Sequence, residues 1–123
     1  MKILFLDDDS LRHTVFDSFL RESNSGMLAT VRHVYNAQEA IDALDAEYFD
    51  FIFLDRDLGE ALSGEVVASW IADHLSSGPT IVIHSWHIDR ARVMYLTLLG
   101  GDHNVVRVPF GTDLKEYIQK EFV

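Results

Sequence analysis

Five short apolar segments alternate along the chain with segments whose apolar residues recur at helical spacing. The apolar segments are 2–6 (KILFL), 29–34 (ATVRHV), 49–54 (FDFIFL), 80–84 (TIVIH) and 105–110 (VVRVPF). Between them, apolar residues three and four positions apart mark one face of a helix, as Leu11, Val15 and Phe16 do after the first segment. Strands that alternate with helices form a parallel sheet covered on both faces. The sequence therefore predicts an α/β fold, a doubly wound sheet of five strand–helix units.

Capping and turn residues mark the predicted ends of these elements. Ser10 is the predicted N-cap of the first helix, and Asn36 with Glu39 forms a capping box at the second. Turns are predicted at 23–26 (SNSG) and, from their glycines, within 59–64 (GEALSG). The predicted strands and helices follow one another without a linker, and the sequence contains no internal repeat. This predicts one domain over residues 1–123.

The charge balance limits the class of partner. The 123 residues include 10 Lys or Arg and 20 Asp or Glu, a formal net charge of -10, and no cysteine. So acidic a surface disfavours extended contact with nucleic acid or anionic lipid, although a local site can still hold a phosphate. No apolar stretch approaches the length that spans a membrane. We expect a cytoplasmic protein with no disulfide and no thiolate metal site.

Carboxylates are concentrated where two predicted strands end. Asp7, Asp8 and Asp9 follow the first strand, and Asp55 and Asp57 follow the third. In the common strand order 2-1-3-4-5 these two strands are neighbours, and ligands bind at the carboxyl ends of such strands. At about 5 Å in an effective dielectric of about 20, each pair repels by roughly 3 kcal/mol, which a divalent cation relieves. The predicted ligands of an Mg²⁺ or Mn²⁺ site are Asp7, Asp8, Asp55 and Asp57. The alternative is that the aspartate run only caps the first helix.

Further polar residues are expected at the same edge of the sheet. His84 and Ser85 end the fourth strand and His87 follows, while Arg12 and His13 lie in the first helix within reach of an anion. Histidines at such an edge can bind phosphate or transfer protons. Each residue also has an ordinary alternative, because Ser85 can cap the next helix, an arginine can be a surface charge and a histidine can be structural.

These motifs resemble the receiver domain of bacterial response regulators over essentially the whole chain. That family has an acidic pair after strand one, a phosphoacceptor Asp after strand three, a Ser or Thr after strand four and a Lys before a Pro after strand five. Asp7 and Asp8 match the pair, Asp55 matches the acceptor and Ser85 matches the hydroxyl residue. The resemblance implies a flavodoxin-like, receiver-like fold. Val108 stands in the position of the Lys that contacts the aspartyl phosphate, which counts against a phosphorylation switch.

The sequence is similar in more detail to the cyclic-phosphate processing receiver-like domains. The shared motifs are LDDD followed by Arg-His and an aromatic residue (6–16), LDxDLG (54–59) and His-Ser (84–85). That family has an Asn two residues after the Ser, where this chain has His87. The resemblance implies chemistry on a cyclic or terminal phosphate.

The main functional prediction is a divalent-metal-dependent phosphoesterase acting on a cyclic or terminal phosphate of a nucleotide or an RNA end. The predicted catalytic residues are Asp55, His84 and His87, and the predicted phosphate-binding residues are Arg12, His13 and Ser85. One alternative is an atypical response-regulator receiver in phosphorelay signalling, with Asp55 as phosphoacceptor and a protein partner or second copy docked on helix four and strand five. Another is a phosphate-sensing module without turnover.

Overall fold

The computed structural model describes residues 1–23, 28–58 and 63–122. The strands are β1 (Lys2–Leu6), β2 (Thr30–Val34), β3 (Phe51–Leu54), β4 (Thr80–Ile83) and β5 (Asn104–Arg107). The helices are α1 (Ser10–Arg21), α2 (Ala37–Ala46), α3 (Gly64–His74), α4 (Ile88–Gly100) and α5 (Thr112–Glu121). Of the predicted turns, residues 24–26 and Gly59 lie outside the described ranges. No helix within those ranges is long and apolar enough to cross a membrane.

All five strands are parallel in one sheet, in the order β2-β1-β3-β4-β5. This confirms the predicted doubly wound, flavodoxin-like arrangement, with β2 and β5 at the edges. Leu6 pairs with Leu54, and Leu54 pairs with Ile83, so that β1, β3 and β4 end level with one another. The residues that follow these three strands therefore lie side by side at the carboxyl edge of the sheet.

Apolar side chains on the two faces of the sheet form two separate cores. Leu4 and Leu6 belong to the core under α2, α3 and α4, whereas Ile3, Phe5 and Phe53 belong to the core under α1 and α5. Because helices cover both faces, the central strands are apolar almost throughout instead of alternating with polar residues. This burial holds the carboxyl edge of the sheet rigidly in place.

Helices α1 and α2 begin at side-chain caps. Asp9 accepts a hydrogen bond from Leu11 N–H at 2.9 Å, so that Asp9 caps α1 and Ser10, the predicted cap, is the first helical residue. Asn36 accepts a hydrogen bond from Glu39 N–H at 2.8 Å, which confirms the predicted capping box at α2. The third aspartate of the run therefore has the capping role that the alternative interpretation gave to the whole run.

Strand β5 ends earlier than the apolar segment 105–110 predicts. The chain beyond Arg107 still runs beside β4, because Val108 N–H donates to Ile83 O at 2.9 Å. Pro109 has no N–H to donate, so the regular strand pattern stops there.

Gly64, the first residue of α3, lies against the backbone that carries Asp55. A Cβ at this position would lie 2.1 Å from the Asp55 carbonyl oxygen and 2.9 Å from Arg56 Cα. Neither backbone atom can move without displacing the segment after β3, so we expect Gly64→Ala to lower the free energy of unfolding by roughly 1–3 kcal/mol. Chemical denaturation measures this loss. Gly100→Ala is the control, because an added Cβ there meets no atom within 4 Å. Equal losses in the two variants would contradict the close approach.

Candidate metal and phosphate site

Three carboxylates meet at the carboxyl edge of the sheet. Asp7 and Asp8 follow β1 directly, and Asp55 follows β3. One oxygen of each lies within 4.8 Å of the others. Asp7 and Asp55 are buried, whereas Asp8 is exposed. Among the residues that the structure describes, this is the one group of three or more His, Asp or Glu side chains placed to share a metal ion.

Backbone hydrogen bonds orient the two buried carboxylates. Asp55 N–H donates to Leu6 O at 3.1 Å, which ties the residue after β3 to the end of β1. Asp7 Oδ1 accepts from Asp9 N–H at 2.9 Å, and Asp55 Oδ1 accepts from Arg56 N–H at 2.9 Å. One oxygen of each carboxylate is therefore held by the main chain.

A guanidinium from the first turn of α1 lies across the cluster. Arg12 Nη1 lies 3.4 Å from Asp7 Oδ2 and 3.5 Å from Asp55 Oδ2. The guanidinium carbon lies 5.8 Å from the centre of the Phe110 ring. Burial alone would lower the pKa of Arg12, but the charges of Asp7 and Asp55 outweigh burial and raise that pKa. Arg12 is a permanent positive charge between the two aspartates.

Burial raises the pKa of both inner carboxyls. The pKa of Asp55 is raised to about 7, by burial first and then by the charge of Asp7. The pKa of Asp7 is raised to about 6 by burial, which the hydrogen bond from Asp9 and the charge of Arg12 offset only in part. The positive charge of Arg12 therefore does not offset the cost of burying the two carboxylates. In the metal-free protein, Asp55 is partly protonated near neutral pH.

These pKa values predict that Asp7 and Asp55 destabilise the metal-free protein less as the pH falls from about 8 to about 6.5. A carboxyl whose pKa is raised by folding destabilises the folded state above that pKa, and the loss disappears as the pH falls through it. Asp55, with a pKa of about 7 against an ordinary 3.8, accounts for most of the change in this range. The expected change in the contribution of these carboxyls to the free energy of unfolding is about 1 kcal/mol. Denaturant unfolding of the wild-type protein and of Asp55→Asn across this pH range measures most of it, as the change in the difference between the two proteins.

Two buried histidines oppose this trend. Burial lowers the pKa of His84 to about 3 and also lowers the pKa of His13, so as the pH falls the unfolded chain takes up protons that these rings do not take up in the folded state. The same histidines are present in Asp55→Asn, so the difference between the two proteins reports Asp55. A difference that does not change between pH 8 and 6.5 would contradict the raised pKa of Asp55.

The donor set fits a hard divalent cation. All candidate ligand atoms are carboxylate oxygens, which Mg²⁺ and Mn²⁺ prefer, and the exposed Asp8 leaves one side of the cluster open to the waters that complete such a shell. The main-chain bonds to Asp7 and Asp55 resemble the contacts that orient metal ligands in proteins. Asp7, Asp8 and Asp55 are the candidate ligands.

A cavity of about 270 Å³ opens beside the three carboxylates. Its walls are formed by Asp8, Asp9, Arg12, Asp55, Asp57, Ser85, Trp86 and His87. Ser85 is buried, and its Oγ accepts a hydrogen bond from His87 N–H at 3.2 Å. The Ser85 hydroxyl can still donate its own hydrogen. Two of the three predicted phosphate-binding residues, Arg12 and Ser85, therefore lie at the wall beside Asp55.

Asp57 lies at this wall but outside the cluster of three carboxylates. Its Oδ1 lies 2.7 Å from Arg56 Nη1, and its Oδ2 lies 3.2 Å from His87 Nε2. The contact with His87 joins the segment after β3 to the start of α4. The role of Asp57 as a metal ligand stays a prediction, and its carboxylate is engaged by Arg56 and His87 in this structure.

His84 is buried beneath the site and does not line the cavity. Its ring stacks on Phe5 with centroids 4.9 Å apart, and its Nε2–H donates to Leu6 O at 3.1 Å. Its Nδ1 lies 3.8 Å from Asp7 Oδ2 and has no hydrogen-bond partner among the described residues. With a pKa lowered to about 3 by burial, the ring stays neutral at physiological pH. This environment opposes the predicted proton-transfer role of His84.

His13 lies behind Asp7 and not at the cavity wall. Its Nε2 lies 2.8 Å from the Asp7 carbonyl oxygen, and its Nδ1 lies 2.6 Å from Nδ1 of His33. His33 Nε2 lies 3.0 Å from Asp17 Oδ1. In the structure His13 thus contacts the main chain of the candidate ligand Asp7, whereas the sequence predicts that His13 contacts phosphate. Sequence reasoning missed His33 and Asp17, although the four-residue spacing of His13 and Asp17 marks one helix face.

Residues 2–100 match the family model described as the cyclic-phosphate processing receiver domain. The chain belongs to this receiver-domain family. The match runs from β1 to α4 and includes Asp7, Asp8, Asp55 and Ser85, whereas Val108 lies beyond it. No curated protein is significantly similar in sequence.

Solved structures of response-regulator receivers share the fold of this receiver domain. The receiver domain of Ssk1 from Saccharomyces cerevisiae, crystallised with the histidine phosphotransfer protein Ypd1, is 21% identical, with a TM-score of 0.74 over 99% of this chain and 86% of that chain. A two-component response regulator from Clostridium difficile is 21% identical, with a TM-score of 0.75 over 98% and 92%. TrrA from Thermotoga maritima, in complex with Mg²⁺ and BeF, is 19% identical, with a TM-score of 0.71 over 99% and 98%. These similarities confirm the predicted receiver fold.

Proposed function

We propose that this domain is an atypical receiver module in which Asp55 accepts a phosphoryl group in the presence of a divalent cation. The observation that carries the proposal is Arg12, whose guanidinium lies 3.4 and 3.5 Å from carboxylate oxygens of Asp7 and Asp55 at the cavity wall. In a receiver a Lys after the fifth strand supplies this positive charge. Val108 stands there in this chain and packs against the core under α1 and α5. Arg12 would supply the charge from α1 instead.

The proposed step transfers a phosphoryl group from a small or protein phosphodonor. One oxygen of Asp55 would form a bond to phosphorus, and the bond from phosphorus to the leaving oxygen would break, with its electron pair departing on the leaving group. A bound divalent cation would supply charge that stabilises the phosphoryl oxygens. Arg12 would donate to one of these oxygens and the Ser85 hydroxyl to another. The attack needs ionised Asp55, and a cation bound to the cluster would favour that form over the protonated form that burial promotes in the metal-free protein.

Acetyl phosphate, a small phosphodonor, tests the proposal. We expect the wild-type protein to gain the mass of one phosphoryl group with Mg²⁺ and none after chelation of the metal. Asp55→Asn should gain none. Asp57→Asn is the matched control, because Asp57 lies at the same wall but outside the carboxylate cluster, and it should still be modified. Modification of Asp55→Asn, or modification without a divalent cation, would contradict the proposal.

Processing of a cyclic phosphate is the second candidate function. The family description and the position of His87 favour it, because His87 is exposed at the cavity wall with its Nε2 3.2 Å from Asp57 Oδ2. A water oxygen would bond to phosphorus and lose a proton to the Asp55 carboxylate, while one ring P–O bond would break and the leaving oxygen would take a proton from His87. Proton exchange with solvent would then restore both residues. His87→Asn should then reduce turnover of 2′,3′-cyclic nucleotides by roughly 10²- to 10⁴-fold without weakening Mg²⁺ binding.

The two assays together separate the candidate functions. Covalent modification of Asp55 without turnover of cyclic nucleotides supports the receiver module. Turnover without a stable adduct supports the phosphoesterase, and phosphate binding with neither outcome supports the sensing module. For the receiver module, a phosphodonor protein is the proposed partner, and the exposed apolar residues Ile88, Val93 and Leu96 of α4 are its proposed contact surface.

A further inference from the structure

A chain of hydrogen bonds joins the surface of α1 to the main chain of the candidate ligand Asp7. Asp17 Oδ1 lies 3.0 Å from His33 Nε2, and His33 Nδ1 lies 2.6 Å from His13 Nδ1. His13 Nε2 lies 2.8 Å from the Asp7 carbonyl oxygen. The exposed fraction falls from 38% for the Asp17 side chain to 26% for His33, and His13 is buried. The series of hydrogen bonds therefore runs from the partly exposed Asp17, through His33 on β2 and His13 on α1, to the main chain of Asp7.

The hydrogens along this chain can be counted. The Asp7 carbonyl only accepts, so His13 Nε2 carries a hydrogen. His33 Nε2 lies 3.0 Å from Asp17 Oδ1, within hydrogen-bond distance. The 2.6 Å contact between the two Nδ1 atoms needs one hydrogen between them, since two bare nitrogens repel and two N–H groups clash. The two outer contacts, His13 with the Asp7 carbonyl and His33 with Asp17, therefore lie on either side of a hydrogen shared by the two Nδ1 atoms.

The two rings of the pair have different surroundings. His13 is packed between Phe5, whose ring meets it edge-on at 4.9 Å, and Tyr35, whose ring centre lies 4.1 Å away. Burial among these rings lowers the pKa of His13. His33 is partly exposed and contacts the carboxylate of Asp17. With its hydrogen on Nε2 facing the Asp7 carbonyl, His13 accepts at Nδ1 from His33.

We infer that His33 and Asp17 are positioning residues for the metal site, because the contacts from Asp17 to His33 and from His33 to His13 hold the His13 ring where it donates to the Asp7 carbonyl. The inference rests on the proposed function, in which Asp7 binds the cation. Asp7 Oδ1 is held by Asp9 N–H at 2.9 Å, so a second bond to the carbonyl fixes the residue at both ends. Removing contacts behind a metal ligand weakens metal binding by roughly 10- to 100-fold in other proteins.

Nitrogen-15 NMR of the imidazole rings in the metal-free protein tests the hydrogen positions. We expect His13 to carry its hydrogen on Nε2 and to accept a hydrogen bond at Nδ1 from His33. His33→Leu should remove the hydrogen bond at His13 Nδ1, whereas His33→Gln, whose amide can donate, should keep it. A His13 hydrogen on Nδ1 in the wild-type protein would overturn the inference.

Calorimetric titration with Mg²⁺ tests the consequence for metal binding. His33→Leu should weaken binding by about 10-fold, and His33→Gln, whose amide can donate to His13, should recover most of the loss. His74→Leu is the matched control, because the His74 ring also lies 2.9 Å from a backbone carbonyl, that of Trp70, but on the exposed side of α3. Unchanged binding in His33→Leu overturns the inference alone. Failure of the wild-type protein to bind Mg²⁺ overturns the proposed function and the positioning role with it.

Discussion

Arg12→Gln is expected to slow the transfer of a phosphoryl group to Asp55 by about 10²-fold, the loss typical when one donor to a developing charge is removed. The Arg12 guanidinium is 36% exposed and lies at the cavity wall, so it can contact an incoming phosphoryl group as well as Asp7 and Asp55. Gln keeps much of the length of the side chain but not its charge. The rate of mass increase with acetyl phosphate and saturating Mg²⁺ measures the effect.

The same substitution should affect metal binding in the opposite direction. The Arg12 guanidinium lies 3.4 Å from Asp7 Oδ2 and would repel an Mg²⁺ ion bound to the carboxylate cluster. Arg12→Gln should therefore bind Mg²⁺ at least as tightly as the wild-type protein. Arg21→Gln is the matched control, because Arg21 lies in the last turn of the same helix and donates to Ser18 Oγ at 3.1 Å. It should change neither property. If Arg12→Gln accepted the phosphoryl group at the wild-type rate, the proposal that Arg12 supplies the positive charge of the receiver Lys would be refuted.

Mg²⁺ at 100 times its dissociation constant is expected to raise the free energy of unfolding by about 2.7 kcal/mol, because the unfolded chain lacks the site. Asp55→Asn should abolish most of this gain. In the absence of metal, the same substitution should stabilise the protein above neutral pH, because it removes a buried charge that raises the energy of the cluster. Thermal or chemical unfolding with and without Mg²⁺ measures both effects.

The opposite signs of these two effects distinguish a metal site from a general loss of folding. Asp42→Asn is the control, because Asp42 lies on the exposed side of α2 and accepts a hydrogen bond from Gln38 at 2.9 Å. It should keep the full gain from Mg²⁺. An unfolding transition of the wild-type protein that does not move with millimolar Mg²⁺ would rule out the metal site.

The order of the sheet and the meeting of the carboxylates could be predicted because both depend on local pattern. Apolar runs without polar alternation identify buried parallel strands, and the carboxyl ends of such strands share one edge. Asp7 and Asp55 therefore had to lie near each other once β1 and β3 were neighbours. The position of Arg12 near these carboxylates could be predicted for the same reason, because the first turn of α1 starts at that edge.

The inward directions of the His84 and His13 side chains are contained in the periodicity of the sequence. His84 continues the alternation of Val82, which faces the core of Phe5 and Phe53, so its ring turns inward instead of toward the cavity. His13 shares its helix face with Phe16, three positions on, which places it on the buried side of α1.

The contact of His33 with His13 could not be predicted from the sequence. It depends on the distance between α1 and β2 in the folded chain, and neither residue belongs to a motif that links the two elements. The same holds for the contact of His87 with Asp57, which joins the segments after β3 and before α4. Such contacts follow from tertiary packing rather than from local pattern.

Fluorine-19 NMR with beryllium fluoride, a stable mimic of a phosphoryl group, tests the central claim most directly. The claim is that Asp55 and a divalent cation together form a phosphoryl-accepting site. We predict protein-bound fluorine resonances for the wild-type protein with Mg²⁺, and their loss on chelation of the metal or in Asp55→Asn. Absence of bound fluorine in the wild-type protein at saturating Mg²⁺, or identical resonances in Asp55→Asn, would contradict the claim.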